Sequence, residues 1–218
     1  MVRLLRVAVA AFLGLAALTL APPALAQTTA QCPSQRDIDA APIRVRSGDA
    51  EALAAFLASP SCHHWITFYF AAEKLFEAGQ REEGLRWFYV GQIRGRTIAA
   101  LDRGGGTSPT VQALQHLIGQ PLNEYAGRDQ QDMVAVIDWA VAWDGENPLT
   151  IGSVRGLGNS FDWSGSAPLP FRAIEVAPDQ FETAYEAQRA GISGLRAAIL
   201  GVEPEQWRRM RRENGLED

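Results

Sequence analysis

The chain has 218 residues, with 20 basic and 25 acidic side chains and a formal net charge of −5. An acidic balance argues against a general nucleic-acid binder, which needs a basic face to neutralise phosphates. The length suits a single domain with a full hydrophobic core once a leader is set aside.

The leader comes first. Arg3 and Arg6 precede an apolar run from Val7 to Leu20, which Pro22 and Pro23 break. Ala24 to Ala26 then supply small residues where a signal peptidase cuts. This layout predicts a signal peptide over residues 1–26. The run is short for a bilayer span, so no membrane span is expected. Cleavage predicts one mature domain over residues 27–218. Cys32 lies behind a polar stretch, so no lipid anchor is expected either. The predicted destination is the bacterial periplasm or the exterior.

Cys32 and Cys62 are the two cysteines of the chain. In an oxidising compartment such an isolated pair bonds. The disulfide would fasten an otherwise loose segment, residues 31–45, to the helical body. It also withdraws Cys62 as a nucleophile or metal ligand, although His63 and His64 follow it directly. Neighbouring residues on a helix do not face each other, so two adjacent histidines cannot chelate one ion together. No metal and no cofactor are expected. One histidine is expected to cap or pack at a helix start, and the other to be solvated.

The elements that follow read as helices. Ser47 is placed to cap a short helix with Leu53, Phe56 and Leu57 as its apolar stripe, ended by Pro60. Trp65, Phe68, Tyr69, Ala72, Leu75 and Phe76 then recur at helical spacing. Gly79 stands where a helix end wants a left-handed residue. A second helix starts at Arg81, with Glu82 and Glu83 in its first turn, where the helix dipole favours acids.

Residues 64–101 resemble a tetratricopeptide-type helical hairpin. The family's small, large apolar, turn-glycine, acidic and aromatic positions match Ala72, Leu75, Gly79, Glu82, Glu83, Gly84, Phe88 and Gly91. Arg96 stands where a helix-ending proline is common, and no second copy follows about 34 residues later. The resemblance implies closely packed antiparallel helices and, in stacked repeats, a concave binding surface.

Ser108 and Pro109 predict the start of a helix that Gly119 and Pro121 break near Ile118. Asp129 caps another helix, with Met133, Val136, Ile137, Ala140 and Val141 on its stripe, ending at Gly145. Residues 149–174 are rich in Gly, Ser and Pro and predict one long irregular loop, within which a small β-hairpin fits. Helix resumes from Ala177, and a last helix near Pro204 carries a cluster of arginines. The fold class expected is all-α, with about six to eight helices packed as antiparallel hairpins.

No nucleophile elbow, phosphate loop or calcium loop is present. Carboxylates are plentiful, and linear order singles out no acid–base pair among Glu73, Glu77, Asp138, Asp144 and Glu146. The six tryptophans are many for this length, and aromatic residues with arginine anchor protein interfaces. Gln92 and Arg96 lie four apart and share one helix face, with Arg94 on another. On a repeat-like hairpin these would line a concave surface. Asn123 and Tyr125 form a second polar edge, and Trp143, Asp144 and Trp163 lie near helix or loop ends. The function expected is an exported, non-catalytic protein that binds another protein, as an interaction or inhibitor/immunity-type partner. The alternative is a cell-envelope hydrolase with its site beneath the 149–174 loop, using nearby carboxylates or His116.

Overall fold

A computed structural model of the chain describes residues 32–103, 105–158 and 169–216. The predicted signal peptide and Trp163 lie outside the described residues. The fold is all-α, with nine α-helices among the described residues. They are α1 (Gln35–Arg46), α2 (Ala50–Ala58), α3 (Trp65–Glu77), α4 (Arg81–Leu101), α5 (Thr107–Leu117), α6 (Gly119–Ala126), α7 (Gln130–Glu146), α8 (Pro178–Leu200) and α9 (Pro204–Glu213). Strands β1 (Arg155–Leu157) and β2 (Phe171–Ala173) form a small antiparallel pair, with Gly156 opposite Arg172.

The amino-terminal segment corrects the expectation of a loose strap, because it folds as α1. Ser34 caps this helix by accepting from the Asp37 amide at 3.3 Å. Asp37 stands in the first turn and Arg44 and Arg46 in the last, both in the sense that the helix dipole favours. Ile38, Ala41, Pro42 and Val45 share the buried stripe. Pro42 breaks the helical pattern in the sequence, yet it lies within the helix on the core side. Ser47 ends α1 rather than starting α2, and Asp49 caps α2 through the amides of Glu51 and Ala52. The disulfide joins Cys32 to Cys62, with Cα atoms 5.5 Å apart. It clamps the approach to α1 onto the turn that leads into α3.

Helices α3 and α4 form a tight antiparallel hairpin. Gly79 turns the chain with φ +84°. Along α4, Gly84 lies against the backbone of Ala72 and Phe76, Gly91 against Phe68 and Tyr69, and Gly95 against Trp65 and Tyr69. The glycines let the two backbones approach where any side chain would hold them apart.

Helix α4 is the axis of the molecule. It packs on α3, α5, α6, α7 and α8. In a stacked repeat each unit meets only its chain neighbours. Here α7 and α8 return to cover α4, so the packing is that of a bundle around one helix. This explains why α4 is apolar or small over most of its circumference, from Leu85 to Ile98.

The described parts of 149–174 are clasped to the α4–α5 junction. The Gly106 amide donates to the Leu157 carbonyl at 2.9 Å, and the Leu157 amide donates to Thr107 Oγ1 at 2.9 Å. Arg172 of β2 pairs with the buried Asp102 carboxylate, to which the Thr107 hydroxyl also donates. Ser108 was expected to cap α5; the cap is Gly106, two residues earlier, and Thr107 in the first turn is committed to this clasp.

Candidate functional site

The residues singled out in the sequence separate into two groups on opposite sides of α4. Arg94, Trp143 and Asp144 belong to the interior. Arg94 is 2% exposed and Asp144 is fully buried. Arg94 Nε lies 3.2 Å from Asp144 Oδ1, and Arg94 Nη2 donates to the Asn147 carbonyl. The guanidinium is held between the rings of Phe68 and Trp143, 4.9 Å from each centroid. Tyr185 donates to Asp144 Oδ2 at 2.6 Å, and Arg189 Nε lies 3.7 Å from that oxygen. Burial, reinforced by this bond to Asp144, pushes the Tyr185 hydroxyl up to about 12. The network ties α4 to α7 and α8. The expectation of Arg94 on a solvent-facing surface is therefore corrected: the arc of α4 that carries it is the arc that α7 and α8 cover.

Trp143 is half-buried in the same region. It meets Trp87 edge-on at 5.0 Å and stacks near Trp139 at 6.3 Å. These contacts are core packing with one flank in water.

The second group faces outward. Two residues along a helix correspond to more than half a turn, so Gln92 and Arg96 point away from Arg94. They meet Asn123 of α6 at a cleft of about 250 Å³. Tyr89 and Gln115 complete its polar lining, and Phe88, Met133 and Leu195 its apolar wall. Tyr89 donates to Asn123 Oδ1 at 3.2 Å. Burial pushes the Tyr89 hydroxyl up to about 12, although Arg96 nearby opposes this. Burial also raises Tyr69 behind it. Both phenols stay protonated, and that of Tyr89 serves as a donor. The Gln115 carboxamide, with its oxygen toward Arg96, accepts from Nε at 2.7 Å and Nη2 at 3.1 Å.

Met133 continues from this cleft into a neighbouring one of about 330 Å³, centred on Arg81, Tyr125 and Arg128. The Arg81 guanidinium lies 5.1 Å and that of Arg128 5.3 Å from the centre of the Tyr125 ring. Asp129 and Asp132 at the amino end of α7 and Glu82 of α4 supply acids at its margin. Arg81 and Tyr125 also line two further hollows, one toward Trp87 and one toward Leu216. A continuous surface thus runs from Arg96 across Met133 to Tyr125. Of the residues named from the sequence, Gln92, Arg96, Asn123 and Tyr125 lie on it. Arg81, Arg128, Gln115, Met133 and Leu195 were not foreseen, because they arrive from four other places in the chain and no local spacing links them.

The histidines after Cys62 are both buried, at 7% exposure each. This corrects the expectation that one is solvated. His64 Nε2 lies 2.7 Å from Asp39 Oδ1, and its ring stacks on Phe171 of β2 at 3.8 Å. His63 packs edge-on against Phe56 at 5.5 Å. Burial depresses the pKa of both. The pair thus fastens α1 and the β-hairpin to the start of α3. Among the described residues, no group of three or more His, Cys, Asp or Glu is placed to hold a metal ion. His116 is exposed on α5.

Comparison with protein-family models, curated proteins and solved structures finds no match to this chain.

Proposed function

We propose that this chain is an exported, non-catalytic protein-binding protein, and that its partner lies along the surface from Arg96 to Tyr125. The observation that supports this most is the make-up of that surface. Arginines, tyrosines and Met133 border shallow hollows that run into one another. Arg and Tyr are the residue types that anchor interfaces, because each combines a wide apolar body with directed donors. In this reading the α3–α4 hairpin, which we take as tetratricopeptide-like, gives rigid support, and the partner is met at the rim of the bundle rather than in a concave trough. The disulfide and the leader-like first 26 residues suit export to the periplasm or exterior.

An interaction or inhibitor/immunity-type role is the form of this reading that we favour. Two carboxylates that contact the region of the β-hairpin, Asp102 and Asp39, are already committed. Asp102 holds Arg172 and Thr107, and Asp39 holds His64. A hydrolase site that used either of these two would have to release it from a structural bond.

The test is affinity capture from periplasmic extract with the mature chain and with an Arg81→Glu/Arg96→Glu variant. A partner held by the parent and lost by the variant supports the reading. Identical recovery by both, or no recovery by either, counts against it.

A further inference from the structure

We propose that the cleft between α4, α6 and α8 is a subsite for a peptide carboxylate carried beside an apolar group. This rests on the protein-binding reading and specifies what the partner presents.

Charge argues first. Arg96 is the one charged side chain among the described residues that line the cleft. Its bonds to Gln115 use Nε and Nη2 and hold the guanidinium plane at the cleft. Nη1 makes no hydrogen bond among the described residues. A guanidinium oriented in this way by one partner retains N–H groups for a second acceptor. A single positive charge suits a carboxylate rather than a phosphate dianion.

The neutral groups point the same way. Asn123 spends its oxygen on the Tyr89 hydroxyl, which leaves its amide N–H groups to donate. Gln92 is 6% exposed and lines the cleft, yet its carboxamide makes no hydrogen bond among the described residues. Open to the hollow and without a protein partner, this carboxamide is free to engage a bound ligand. Amide N–H groups and a guanidinium converging on one hollow form a donor set, and a carboxylate is an acceptor only.

The other wall fixes the neighbour of the carboxylate. Phe88, Met133 and Leu195 present apolar surface, and Leu195 is 38% exposed. At about 250 Å³ the cleft has room for a residue-sized group. An acidic side chain next to an apolar one, or a carboxyl terminus on an apolar residue, has this chemistry.

Two-dimensional NMR of the ¹⁵N-labelled mature chain separates these sources. The probes are N-acetyl-alanyl-leucine, with a terminal carboxylate, and N-acetyl-glutamyl-leucinamide, with a side-chain carboxylate. The uncharged control is N-acetyl-glutaminyl-leucinamide. At least one charged probe is expected to shift the side-chain N–H signals of Gln92, Arg96 and Asn123 in a saturable way. The control should bind about tenfold more weakly, as for one lost charge-assisted hydrogen bond. Arg96→Gln should abolish that preference while its backbone spectrum overlays the parent's. Equal response to charged and uncharged probes, or a preference that survives Arg96→Gln, overturns the proposal. Silence from both charged probes overturns it too, and a partner still captured through Arg81 and Arg96 would then leave the surface reading standing.

Discussion

Arg94 and Asp144 form an ion pair between α4 and α7 in which both side chains are withdrawn from water. Their exposures are 2% and 0%, and Nε lies 3.2 Å from Oδ1. Removing two charges from solvent is costly, and their attraction repays it only when further bonds complete the site. Here the Asn147 carbonyl, the Tyr185 hydroxyl and two aromatic faces do so. Breaking one side should therefore hurt more than removing both.

Arg94→Met is expected to destabilise the fold by about 3–5 kcal/mol, because it leaves the Asp144 charge buried beside Tyr185 and a more distant Arg189. Arg94→Met/Asp144→Leu is expected to lose less than the sum of the two single changes. Urea unfolding of the parent, the two single variants and the double variant measures the coupling. Strict additivity would mean that the two side chains do not depend on each other.

How far this was legible from sequence depends on how local each signal is. Gly79 with Glu82 and Glu83 announces the α3–α4 turn, because turn and cap chemistry act within a few residues. The shared face of Gln92 and Arg96 follows from spacing alone. Which arc of α4 meets water does not, since that depends on α7 and α8, 50 or more residues onward along the chain. Arg94 therefore reads as a surface arginine until Asp144 is seen opposite it. The first helix was hidden by Pro42, whose place within it was not evident from the pattern. Gln115 and Leu195 reach the cleft through tertiary packing, which leaves no periodic trace.

Glycines on α4 and α8 should respond to alanine with opposite signs. A Cβ on Gly84 would stand 2.8 Å from the Ala72 carbonyl oxygen, a backbone atom that cannot move aside alone. Gly84→Ala is thus expected to lower the melting temperature despite alanine's better helix propensity. A Cβ on Gly191 of α8 would meet nothing within 4 Å. Gly191→Ala should stabilise by about 0.5–1 kcal/mol. Calorimetry of the two variants checks both signs, and destabilisation by Gly191→Ala would contradict the packing described for α8.

Acid should weaken the fold through the buried histidines. Burial depresses the pKa of His63, and also that of His64 even though Asp39 pulls the other way. The unfolded chain, with ordinary values near ~6.5, takes up these protons first. Stability is then level above that pH and falls as pH drops through it toward the lower folded values. A chemical-denaturation series from about pH 8 to pH 5 should show this decline. His63→Leu should flatten it in part. A profile that is level to about pH 5 would contradict the burial of these rings.

Reduction of the disulfide should cost stability without abolishing the helices. The closed loop spans 30 residues, for which chain entropy gives about 3–4 kcal/mol. The α3–α4 hairpin and the helices α5 to α8 that pack on α4 lie outside that loop, whereas α1 and α2 lie within it. Circular dichroism with and without a reductant should show near-native helicity at low temperature and an earlier thermal transition. An unchanged transition would mean that the buried stripe of α1 and the Asp39–His64 contact secure it without the disulfide.

Site-directed photocrosslinking in the native host tests the proposed binding surface most directly. A photoreactive residue is placed in turn at Arg128 and Leu195, on the surface, and at the exposed Arg36 of α1, which lines none of these hollows, as a control. One shared adduct is expected from the first two positions and none from the third. Adducts from Arg36 alone, or the same pattern from all three positions, would contradict it.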